Sequence, residues 1–68
     1  MRAEKIVDPA LLQVMTIPQW CKLNGFSRTT GRRIFERGEG PKVIQLSRNR
    51  VGVRAIDNLK WQEARVRQ

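Results

Sequence analysis

Residues 16–35 read Thr16-Ile17-Pro18-Gln19-Trp20-Cys21-Lys22-Leu23-Asn24-Gly25-Phe26-Ser27-Arg28-Thr29-Thr30-Gly31-Arg32-Arg33-Ile34-Phe35. They carry the start and stop signals of two short helices joined by one tight turn. Thr16 suits an N-cap, Gln19 three residues on completes a capping box, and Pro18 is tolerated in a first turn. Ile17, Trp20, Cys21 and Leu23 follow at helical spacing. Asn24-Gly25 ends this helix, because glycine readily supplies the left-handed backbone that closes a last turn. Phe26 leads into a second helix, with Ser27 as its N-cap, predicted to run to Arg37 before Gly38 stops it. On a helical wheel Ser27, Thr30, Gly31, Ile34 and Phe35 share one face. Thr29, Arg32, Arg33 and Glu36 share the opposite face, with Arg28 at its edge. Two short helices across a glycine-containing turn, the second basic on its outer face, form a helix-turn-helix pattern.

Downstream, Gly38-Glu39-Gly40-Pro41 leaves no room for regular structure. Lys42 to Ser47 then alternates, with Ile44 and Leu46 on one side and Val43, Gln45 and Ser47 on the other. Arg50 to Arg54 alternates again through Val51 and Val53, which predicts a β-hairpin closed around Arg48-Asn49. A final helix is predicted over Ala55 to Val66, with Asp57 in its first turn and Arg65 and Arg67 at its end, matching the helix dipole. Upstream, Val14-Met15 suits a short strand. Residues 1–13 read as a flexible leader in which Pro9 breaks any helix and Ala10-Leu11-Leu12 are free to dock on the core. The expected fold is α+β, with a leader at 1–13 and a small winged helix-turn-helix at 14–68: two N-terminal helices, a hairpin wing and a C-terminal helix.

The charge falls on the same stretch. The chain has 68 residues and a formal net charge of +8. Eight of its fourteen Lys and Arg residues lie between Arg28 and Arg54, against only Glu36 and Glu39, so that window carries a net +6. Surplus basic residues often form nothing more than a solvated surface. Here they are concentrated, and ten of the fourteen are Arg. Arginine makes bidentate contacts with phosphate and guanine, which points to double-stranded DNA as the partner.

Other function classes lose ground on composition. There is no His and no Tyr, and a thiol at the single Cys21 has no histidine to activate it. No glycine-rich phosphate loop occurs, and one Cys without His supplies neither a disulfide nor the usual zinc ligands. The residues therefore argue against an enzyme and call for no cofactor or metal. No apolar run approaches the roughly 20 residues of a membrane-spanning helix. Residues 1–9 lack the apolar stretch of a secretory signal, so the expected location is cytoplasmic, with association to the nucleoid.

Met15-Thr16-Ile17-Pro18-Gln19-Trp20 resembles the start of the first helix in phage excisionases. Gly25-Phe26-Ser27-Arg28-Thr29-Thr30 is similar to the turn of AlpA-type regulators. Gly38-Glu39-Gly40-Pro41-Lys42, Val51-Gly52-Val53-Arg54 and Trp61-Gln62-Glu63-Ala64-Arg65 follow in the order of that family. The resemblance spans residues 14–66. It implies a winged helix-turn-helix related to the MerR-type domain, whose second helix enters the major groove and whose wing reaches the neighbouring backbone or minor groove. It further implies a role in a prophage or integrative element. Many such proteins are recombination directionality factors, which bind attachment-site DNA side by side, bend it and turn a tyrosine integrase toward excision. Others regulate transcription of the element. On this resemblance the reading helix offers Ser27, Arg28, Thr29, Thr30, Arg32 and Arg33, and the wing offers Arg48, Asn49 and Arg50. Cooperative self-association on DNA is implied as well.

Three positions depart from the family pattern. Gly31 replaces a larger apolar residue, which predicts a second helix weakened by about 1 kcal/mol against Ala and fully ordered only on DNA. Arg32 replaces a common aromatic. Asn58 stands where an apolar residue is usual, so Ile56 and Leu59 are expected to anchor the last helix.

Roles within the pattern remain open at this level. Arg32 and Arg33 suit guanine O6/N7 and suit phosphates equally, while Arg28 suits the backbone. Thr29 and Thr30 suit phosphate or a thymine methyl, with Thr30 more often structural. Glu36 pairs either with cytosine N4 or with Arg32 or Arg33. Arg48 and Arg50 suit a narrow minor groove or a solvated turn. Trp20 and Trp61 sit among apolar neighbours and are expected in the core rather than stacked on single-stranded bases. Cys21 is expected as a small, partly buried apolar residue. The alternatives to an excision factor are a transcriptional regulator of the same element and an antirepressor-type module whose basic face grips an acidic protein.

Overall fold

A carboxylate oxygen of Asp8 accepts from the Ala10 amide at 3.0 Å and caps a 3₁₀ turn, Pro9–Leu12. The computed structural model describes residues 8–67. Residues 1–7 of the expected leader lie outside that range. Pro9 opens the turn rather than breaking it, because its fixed φ suits a first helical position. The Ala55 amide donates to the Gln13 carbonyl at 2.8 Å and ties the end of this segment to the start of the last helix.

Strand β1 (Val14–Met15) leads into helix α1 (Ile17–Asn24). The Thr16 hydroxyl accepts from the Gln19 amide at 3.1 Å, and the Gln19 side chain accepts from the Thr16 amide at 2.8 Å, completing the capping box. Gly25 follows with φ 80°, and the Phe26 amide reaches back to the Cys21 carbonyl at 2.8 Å. The turn is therefore only Gly25 to Ser27 long. Helix α2 (Arg28–Glu36) starts at once, with the Ser27 hydroxyl accepting from the Thr30 amide at 3.1 Å.

An irregular loop leads to strand β2 (Ile44–Ser47), which turns through Arg48-Asn49 into strand β3 (Arg50–Arg54). The sheet is antiparallel in the order β1-β3-β2, so β3 lies in the middle. Helix α3 (Ala55–Ala64) begins on the residue after β3. The whole is a small α+β domain with three α-helices and a three-stranded antiparallel sheet, a layout compatible with a winged helix-turn-helix. No helix among the described residues is long and apolar enough to cross a membrane.

Trp20, Cys21, Ile34 and Val53 are buried, with Met15, Ile17, Phe26, Phe35 and Trp61 packed around them. Trp20 is the hub: its ring centroid lies 5.5 Å from Phe26, 4.9 Å from Phe35 and 5.2 Å from Trp61. Offset and edge-on geometries of this kind add to plain burial. Both helices, the sheet and α3 thus meet on one indole.

Four expectations are corrected here. Leu23 is exposed, because the inward face of α1 is Ile17, Trp20, Cys21 and Asn24. Leu59 is also exposed and does not anchor α3, whereas Asn58 is buried. Its side-chain carbonyl accepts from the Trp20 indole N–H at 3.0 Å and from the Asn24 amide group at 3.1 Å. Gly31, expected only as a weak point of α2, also has a packing role. A Cβ at that position would collide with Cys21 Sγ, so the bare backbone is what lets α1 and α2 close on each other. The last helix stops at Ala64 rather than Val66, and the Arg65 guanidinium sits 4.8 Å from the centre of the Trp61 ring.

Candidate nucleic-acid interface

Helix α2 buries Gly31 and Ile34, half-buries Phe35 and leaves Arg28, Thr29, Thr30, Arg32, Arg33 and Glu36 exposed. The separation of faces follows from the one-turn spacing of its apolar residues. Ser27 and Thr30 are also exposed, so the inner face is narrower than the wheel suggests. Their hydroxyls are used locally: Ser27 Oγ donates to Thr30 Oγ1 at 3.1 Å while capping the helix. These two residues fix where α2 begins, and the outward positions are left to Arg28, Thr29, Arg32 and Arg33.

Arg28, Thr29 and Arg32 come together. With Ile17, Pro18 and Cys21 of α1 they line one recess between the two helices. The expected ion pair of Glu36 with Arg32 or Arg33 is absent. Arg37, at the C-cap of α2 and one turn beyond Arg33, is exposed and extends the basic stripe. Its spacing from Arg33 was a readable signal that sequence reasoning passed over.

The hairpin forms a second basic element. Arg48, Asn49 and Arg50 are all exposed at its tip. Among the described residues none other than glycine has positive φ, so the two-residue turn is not of the left-handed type common in tight hairpins. A bulge between Gln45 and Ser47 in β2 absorbs the mismatch in twist. The Gln45 amide group donates to the carbonyl of Ser47 and, at 3.2 Å, to that of Arg48, bracing the loop. Gln45 had no sequence signature, because its role depends on the bulge.

Arg54, the last basic residue of the window, serves the fold. Its Nε donates to Asp57 Oδ2 at 2.6 Å and a terminal nitrogen donates to Oδ1 at 3.1 Å, a bidentate pair across the start of α3. The hydrogen bonds from Arg54 hold the Asp57 carboxyl below the usual aspartate range. Burial opposes that effect, and Lys42 and Lys60 reinforce it. The Arg54 guanidinium is correspondingly harder to deprotonate. It is the only ion pair among the described residues, so the other seven bases from Arg28 to Arg50 have no described acid as partner.

Arg28, Arg32, Arg33, Arg37, Arg48 and Arg50 thus stand exposed on one helix and one hairpin tip with no acidic partner among the described residues. Such a surface supplies donors for anions on a helix and on a hairpin tip. In comparisons with known proteins the chain matches no family model, no curated protein and no solved structure.

Proposed function

We propose that this chain binds duplex DNA as a winged helix-turn-helix protein, with α2 in the major groove and the β2–β3 hairpin as the wing. We further propose that it serves as a recombination directionality factor of a prophage or integrative element. It would bend attachment-site DNA, associate cooperatively along it and act beside a tyrosine integrase. The observation that carries the DNA-binding reading is the set of seven exposed bases between Arg28 and Arg50 that no described acid neutralises. A protein that bears such uncompensated charge in a 68-residue chain gains most from a polyanion, where each contact releases counterions. The excision role rests on the order of motifs set out above.

A gel-shift titration on duplexes from the element's attachment region, with scrambled competitor and a salt series, tests both levels. Six to eight phosphate contacts give a log-log salt slope of roughly −5 to −7. Stepwise cooperative shifts confined to an attachment arm support the excision role. Footprints confined to a promoter replace it with transcriptional regulation. Absence of any salt-sensitive shift, together with capture of an acidic protein, replaces DNA binding altogether.

A further inference from the structure

Two of the exposed α2 arginines flank a recess between α1 and α2. Arg28 and Arg32, one helical turn apart, rim a recess of about 230 Å³ whose walls are Ile17, Pro18, Cys21 and Thr29. Cys21, only 2% exposed, closes the back of the recess, whose lining is mostly apolar. Neither guanidinium has an acidic partner among the described residues.

The volume falls below the roughly 300–1,000 Å³ of sites that enclose a small molecule. What fits is the edge of a larger ligand. A phosphate group gains from the two guanidiniums but nothing from an apolar wall. A methyl group beside paired acceptor atoms uses both. In the major groove that combination occurs where a pyrimidine C5 methyl stacks on the 5′ side of a guanine, whose O6 and N7 form the acceptor pair.

Building on the DNA-binding reading above, we infer that this recess recognises a C5-methylated pyrimidine followed by guanine. The pyrimidine methyl rests against Ile17, Pro18 and the Thr29 methyl. Arg32, on the outward face of α2, takes guanine O6 and N7. Arg28, at the first position of the helix, takes the adjoining phosphate. Thymine and 5-methylcytosine carry the same methyl group, so the recognised chemistry is common to both.

The test titrates the full chain onto duplexes of equal length with repeating steps, which removes any dependence on register. One pair is (TG)·(CA) with thymine or with uracil in its place. The other is (CGA)·(TCG) with its cytosines methylated at C5 or unmethylated. Loss of the thymine methyl should weaken binding about fourfold per protomer, the worth of one buried methyl. Thr29→Ser keeps the hydroxyl and removes the wall methyl, and should bring the thymine and uracil duplexes to within about twofold. Replacing guanine by 7-deazaguanine removes N7 and should cost the wild type about tenfold, but Arg32→Lys far less. Discrimination within the first pair supports the proposal with thymine as the source, and discrimination within the second supports it with 5-methylcytosine. Equal affinities within both pairs overturn the proposal while leaving DNA binding intact. No salt-sensitive shift on any duplex overturns the DNA-binding reading, and this inference with it.

Discussion

The Trp20 indole N–H donates to the Asn58 side-chain carbonyl across 3.0 Å, linking the fully buried hub of the core to the middle of α3. Asn24 shares that carbonyl at 3.1 Å and passes its own side-chain carbonyl to Gln62 at 2.7 Å. The join between α1 and α3 is therefore polar. Asn58→Leu should cost about 1–3 kcal/mol, since it strands a buried N–H. Trp20→Phe combined with Asn58→Leu should cost less than the sum of the two single changes, because both partners are then gone. Urea melts of the four proteins measure this; simple additivity would refute the coupling.

Gly31→Ala should destabilise the domain by about 1–3 kcal/mol, although helix propensity alone predicts a gain of about 1 kcal/mol. The added methyl meets Cys21 Sγ. Placing Cys21→Ala beside it should restore much of the loss. Thermal denaturation of both variants decides between packing and propensity.

Arg32→Ala and Arg33→Ala should leave stability within about 0.5 kcal/mol of wild type, because both side chains are exposed and have no ion-pair partner among the described residues. Each should weaken DNA binding. A change that lowers the salt slope by about 1 without altering sequence preference marks a phosphate contact. A change that relaxes preference at one base pair by about 1–3 kcal/mol marks a base contact. Salt-series titrations on matched and mismatched duplexes separate the two.

Asp57 gives the fold an acid-sensitive point. Its folded pKa lies below the ordinary value, so its contribution is fully present above the unfolded pKa of about 3.9 and is lost as pH falls through the lower folded value. Stability of the wild type should therefore drop on acidification below about pH 4. Asp57→Asn should be less stable at neutral pH and show a shallower acid limb. Parallel limbs would remove Asp57 as the cause.

Local signals in the sequence were readable because they act over three or four residues. Thr16 with Gln19, Ser27 with Thr30, and Gly25 after Asn24 each fix a helix end without help from the rest of the chain. The outward arginines of α2 were readable for the same reason, from helical spacing alone. Tertiary contacts were not. Asn58 looked like a misplaced polar residue, since its partner Trp20 is 38 positions away. Gly31 reads as a weak point of α2 because Cys21, which packs against it, lies ten residues away, and the pairing of Arg54 with Asp57 has no signature of its own. The recess joining Ile17 and Pro18 to Arg32 likewise exists only once α1 and α2 are packed.

Strand β3 passes into α3 without an intervening residue, and Arg54 clasps Asp57 across that joint. Hairpin and helix are thus joined directly, with the arginine tip at one end and Trp61 and Asn58 against the core at the other. A duplex held in a curve pushes back on whatever holds it. On the DNA-binding reading proposed above, recoil delivered at Arg48 and Arg50 would pass through β3 into α3, whose Trp61 and Asn58 touch the Trp20 indole.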